Sequence, residues 1–108
     1  MAEQKAARQF DLKPEHLQIV RQILQHLLPG HEVWAFGSRA KGTAKPYSDL
    51  DLAVITSQPL DLGVLAALSD DFSDSALPFK VDVVDWATTS EAFRAIIARD
   101  KVVVAGRA

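Results

Sequence analysis

Two aspartates one residue apart, Asp49 and Asp51, open a run whose other members include Leu50, Leu52 and Val54, and a Gly37-Ser38 pair stands a short basic loop upstream. Side chains alternate between faces along a strand, so the two carboxylates project together while the three apolar residues point the other way, into a core. Like charges held a few ångströms apart repel unless a cation sits between them. Hard oxygen ligands of this kind suit Mg²⁺, which keeps some of its waters and completes its shell with substrate phosphates. The Gly37-Ser38 turn offers backbone N–H groups and a hydroxyl to those phosphates. Each part has a plainer reading. Glycine and serine after a strand are ordinary turn chemistry, and an Asp-x-Asp pair also guards a sheet edge against aggregation. What favours chemistry is the conjunction: a turn closing one apolar strand, a basic loop, and Ser-Asp-Leu-Asp opening the next, all within one short segment.

The elements that must position these residues can be read from periodicity. Leu17, Val20, Ile23, Leu24, Leu27 and Leu28 recur at helical spacing, with Pro14 and Glu15 suited to a first turn and Pro29-Gly30 to a stop. Val33 to Phe36 and Leu50 to Ile55 read as strands either side of a loop over Thr43 to Tyr47. Leu62, Leu65, Leu68 and Phe72 place a helix over Leu60 to Phe72, and the β-branched run from Phe79 to Trp86 predicts a third strand. Thr89 or Ser90 caps a last helix to about Arg99 with an apolar face of Phe93, Ile96 and Ile97, and Val102 to Val104 suits a brief terminal strand. The order α-β-β-α-β-α indicates an α/β (α+β) fold with a small mixed β-sheet flanked by helices. Residues 1–108 read as one domain, with residues 1–12 as a flexible N-terminus.

Composition narrows the function. The formal net charge is −2, with 48% hydrophobic and 24% charged residues, as in ordinary globular domains, and this balance gives no electrostatic footprint for nucleic acid. The absence of cysteine removes disulfides, zinc thiolates and thiol nucleophiles, and fits a reducing, cytoplasmic setting. No apolar run is long enough for a membrane span. His16, His26 and His31 lack metal-ligand spacing and read as surface residues, and Trp34, Phe36 and Trp86 read as core.

The run Gly37-Ser38-Arg39-Ala40-Lys41-Gly42 followed by Ser48-Asp49-Leu50-Asp51-Leu52 resembles the nucleotidyltransferase superfamily that includes DNA polymerase beta. Within it, the chain looks like the minimal nucleotidyltransferases, the MNT proteins paired with HEPN proteins, from its first helix through its third strand. The resemblance implies the polymerase beta-like fold and a Mg²⁺-dependent enzyme, a protein adenylyltransferase. On it, Asp49, Asp51 and a third carboxylate on a neighbouring strand are catalytic and ligate one or two Mg²⁺ ions. Asp82 matches the motif position better, and Asp85 is held in reserve. Gly37, Ser38, Arg39, Lys41 and Ser48 are the expected nucleotide contacts, with ATP as substrate; Arg39 and Lys41 have a plainer reading as solvated loop side chains, and Tyr47 is kept as a further contact. The implied partner is a cognate HEPN ribonuclease toxin, AMPylated on a tyrosine hydroxyl by this antitoxin. Two alternatives stay open: neutralisation by complex formation with weak or no catalysis, and, more distantly, nucleotide transfer to a small molecule.

Overall fold

The computed structural model describes residues 10–106. Helix α1 spans Pro14–Leu27, with proline at its start, where a missing N–H costs nothing, and Glu15 in its first turn. Strand β1 (Glu32–Phe36) leads into a four-residue helix α2 (Ser38–Lys41), and β2 (Leu50–Ile55) follows after a loop. Helix α3 (Leu62–Ser73) then carries the chain to β3 (Val81–Asp85), a 3₁₀ turn at Trp86–Thr88, α4 (Glu91–Asp100) and β4 (Val102–Ala105). The expected order of elements and the mixed sheet are present. Helix α2, where the sequence suggests only turn and loop, is the addition.

The four strands lie in the order β3-β2-β1-β4, with β1 antiparallel to β2 and to β4, and β2 parallel to β3. A parallel pair needs a crossover, and α3 supplies it. Alternation along the strands divides the apolar residues between two faces. One face buries Val33, Ala35, Leu50, Leu52, Val54 and Val104 against Val20 and Leu24 of α1 and Leu68 and Phe72 of α3. The other carries a smaller cluster of Phe36, Ala53 and Ile97, flanked by Trp34, Ile55, Val84 and Trp86.

That second face is only partly covered. Of the apolar stripe expected on α4, Ile97 is buried, whereas Phe93 and Ile96 stay 37% and 45% exposed. Leu62, at the first position of α3, is exposed, so the buried side of that helix is set by Leu68 and Phe72. The flexible N-terminus expected over residues 1–12 falls outside the described residues for 1–9. Residues 10–12 are tied down: Phe10 and Leu12 pack against the core, and the Asp11 N–H donates to the Arg39 carbonyl at 2.7 Å. Among the described residues, no helix is long and apolar enough to cross a membrane.

Candidate active site

Strand β2 begins at Leu50, so Asp49 stands one residue ahead of it and Asp51 is its second residue. Asp82 is the second residue of β3, and the parallel register pairs Asp51 with Asp82 directly. Registered residues of adjacent strands share a face and sit about 4.8 Å apart in the backbone, so these two carboxylates rise side by side. Asp49 and Asp82 are exposed, while Asp51 is half-buried. The Asp51 carboxyl is raised above the usual range, first by its burial and then by the negative charges of Asp82 and Asp49. Asp82 and Asp49 thus both lie close enough for their charges to act on Asp51.

The Gly37 turn completes this arrangement from the opposite neighbour. Phe36, the last residue of β1, is the register partner of Asp51, so the chain turns directly above that carboxylate. Gly37 has φ of 79°, and a Cβ placed there would run into Asp51 Oδ2 and stand 3.4 Å from its Cγ. Only glycine satisfies both the dihedral and the close approach. Ser38 opens α2, and its carbonyl accepts from the Thr43 N–H at 2.9 Å. The result is a cradle of small residues set against a cluster of carboxylates.

That cluster fits Mg²⁺ by its chemistry, since it offers hard oxygen donors, two of them on the exposed residues Asp49 and Asp82. Among the described residues, no three acidic or imidazole side chains are already closed up at ligating distance.

The remaining predicted contacts divide. Lys41 is exposed at the end of α2; its charge is the last of the influences that lower the Asp100 carboxyl, after the hydrogen bond from Arg99. Arg39, expected at the phosphates or in solvent, is instead 6% exposed, with its guanidinium donating to the carbonyls of Ser48, Asp11 and Pro46 at 2.9, 2.8 and 3.0 Å. Ser48 also turns inward in its bonding: its Oγ accepts from the Lys45 N–H at 2.9 Å and closes the turn ahead of Asp49. Tyr47 is 79% exposed on that turn.

Asp85 is buried at the far end of β3, paired in register with Val54 and three residues from Asp82. Its carboxylate accepts from Thr56 Oγ1, from the Leu60 N–H at 2.6 Å and from the Ala87 N–H at 3.3 Å. It caps the 3₁₀ turn and pins the loop after β2; an acid just ahead of Trp-Ala-Thr-Thr is the sequence sign of such a cap. Asp85→Ala is expected to lower stability by about 1–3 kcal/mol, since it strands buried donors, and to leave activity per folded molecule unchanged. Denaturant melts paired with initial rates check this.

This architecture has known counterparts. The family model described as polymerase beta, nucleotidyltransferase, matches residues 18–108. The chain belongs to that family. This nucleotidyltransferase is 57% identical over 96 residues to the probable protein adenylyltransferase MntA of Haemophilus influenzae, an alignment covering 89% of this chain and 84% of that one. A solved toxin-antitoxin complex with AMP-PNP superposes with a TM-score of 0.71 at 26% identity, covering 84% of this chain and 73% of its counterpart. A complex of the tri-AMPylated Shewanella oneidensis HEPN toxin with its MNT antitoxin gives a TM-score of 0.62, also at 26% identity, over 83% of this chain and 68% of the other.

Proposed function

We propose that this nucleotidyltransferase is a cytoplasmic antitoxin that moves AMP from ATP to a tyrosine hydroxyl of a cognate HEPN ribonuclease toxin, with residues 1–108 acting as one unit. The observation that carries this reading is the pairing of Asp51 with Asp82 beneath the Gly37 turn, with Asp49 alongside. It is supported by the likeness to the Haemophilus MntA protein and to the complex with a tri-AMPylated toxin.

In this mechanism Asp49 and Asp51 hold one or two Mg²⁺ ions and Asp82 contributes where its carboxylate reaches. The cation, when bound, neutralises charge at the α-phosphorus and on the departing pyrophosphate. The Gly37-Ser38 turn receives the terminal phosphates through its N–H groups and hydroxyl, and Lys41 contributes an exposed positive charge nearby. Asp82, exposed at the rim, accepts the proton of the incoming tyrosine hydroxyl. The phenolic oxygen bonds to the α-phosphorus, the bridge to the β-phosphate breaks, and pyrophosphate leaves. A bulky anion on the toxin then repels the phosphates of its RNA substrate.

Purified cognate toxin, incubated with this protein, ATP and Mg²⁺, is expected to gain mass in whole adenylyl increments. The Asp49→Asn, Asp51→Asn double variant is expected to give none. An unchanged toxin mass with the unaltered protein rejects the proposal. Full protection of cells by the double variant shows that binding alone neutralises the toxin.

A further inference from the structure

Arg39 carries a full charge into the protein interior, and all three of its nitrogens are used there. The acceptors come from separate places: Asp11 in the N-terminal segment, and Pro46 and Ser48 in the loop that ends at Asp49. The guanidinium also lies 4.1 Å over the ring of Phe79. The links are reciprocal. The Arg39 carbonyl accepts from the Asp11 N–H at 2.7 Å, and Asp11 Oδ2 accepts from the Ala44 N–H at 3.1 Å. The N-terminal segment, α2 and the loop thus form one hydrogen-bonded unit with Arg39 at its centre.

Stability alone does not call for an arginine at this position, because a buried charge is expensive to desolvate and an apolar side chain of similar volume often serves as well. The rigid fork of the guanidinium does something an apolar residue cannot: it fixes several carbonyls at once in defined directions. Residues 42–49 contain no helix or strand, so their backbone depends on such anchors. Ser48 is bonded directly to Asp49, and burial lowers the Arg39 guanidinium, an effect that the charges of Asp11 and Asp49 offset in part. A misplacement of about 1 Å in a catalytic group costs on the order of 10²-fold in rate.

We infer that Arg39 is a positioning residue that fixes Asp49 through the Ser48 and Pro46 carbonyls, and that Asp11 makes the N-terminal segment part of the same framework. The inference rests on Asp49 serving the proposed cation site, and the two ideas can fail separately. Arg39→Lys keeps the charge and loses the fork. In the metal-free protein, hydrogen exchange of the amides in residues 43–49 is expected to quicken about tenfold while the sheet amides hold their protection. With ATP present, Mn²⁺ binding, followed by the spectroscopic signal of free Mn²⁺, is expected to weaken about tenfold. Val104→Ala, which trims a buried side chain on β4, serves as a destabilised control and is expected to change neither readout.

Loop exchange and Mn²⁺ affinity that match the unaltered protein in Arg39→Lys overturn the inference, as does equal disturbance of both by Val104→Ala. Mn²⁺ binding absent from the unaltered protein counts against the cation site itself, and loop exchange then decides the hold of Arg39 on the loop.

Discussion

Asp51→Asn is expected to slow AMP transfer by about a thousandfold or more while making the protein harder to unfold. The loss follows from removing a carboxylate placed for the cation, whose transition-state stabilisation is several kcal/mol, with each 1.36 kcal/mol worth tenfold. The gain follows from the environment of Asp51, whose carboxyl is raised by burial and by the charges of Asp82 and Asp49. A carboxyl raised in the folded state binds its proton more readily there than in the unfolded chain. The metal-free protein therefore gains stability from this group as pH falls from its folded value to the ordinary carboxylate value, and at neutral pH the ionised form is a cost. Asparagine removes that cost. Thermal midpoints in chelator should therefore rise at pH 7. The advantage should shrink in mildly acidic buffer. A variant that is both inactive and less stable at neutral pH would contradict the electrostatic account of this cluster.

Gly37→Ala is the second large effect. The added methyl meets two penalties, a positive φ that alanine adopts at a cost and an overlap with the Asp51 carboxylate. Stability is expected to fall by about 1–3 kcal/mol, and activity by about 10²-fold as Asp51 and the turn are pushed apart. The two penalties separate in a double-variant cycle. Asp51→Ala removes the colliding oxygens but leaves the dihedral untouched, so Gly37→Ala should cost less in that background than alone. Equal costs in both backgrounds would mean that the close approach to Asp51 is not what requires glycine here.

Much of this site is legible in the sequence because it obeys local rules. Alternation alone puts Asp49 and Asp51 on one side, and the spacing of apolar residues finds the strands and helices that carry them. Alternation also puts Asp82 and Asp85 on opposite faces. What it does not reveal is that the loop after β2 folds back to bring Thr56 and the Leu60 N–H onto Asp85. That is a tertiary fact, invisible to periodicity. Arg39 illustrates the same limit more sharply. Its residue type and position suit a phosphate contact, a solvated side chain or a buried anchor alike. Only the approach of Asp11, far upstream in the chain, decides among them. Helix α2 leaves little trace because four residues are too few for propensity or period to register. On α4, the spacing announces an amphipathic helix without saying how much of its stripe the sheet covers, and Phe93 and Ile96 remain part-exposed as a result.

The central claim is that Asp49, Asp51 and Asp82 direct attack at the α-phosphorus of a metal-bound triphosphate. The most direct measurement supplies ATP labelled at either the α- or the γ-phosphate to this protein with its cognate toxin. The account predicts that label enters the toxin from the α position alone, and that chelation of divalent cations or Asp51→Asn abolishes it. Label transferred from the γ position, or α-label transfer that persists in chelator, would contradict it.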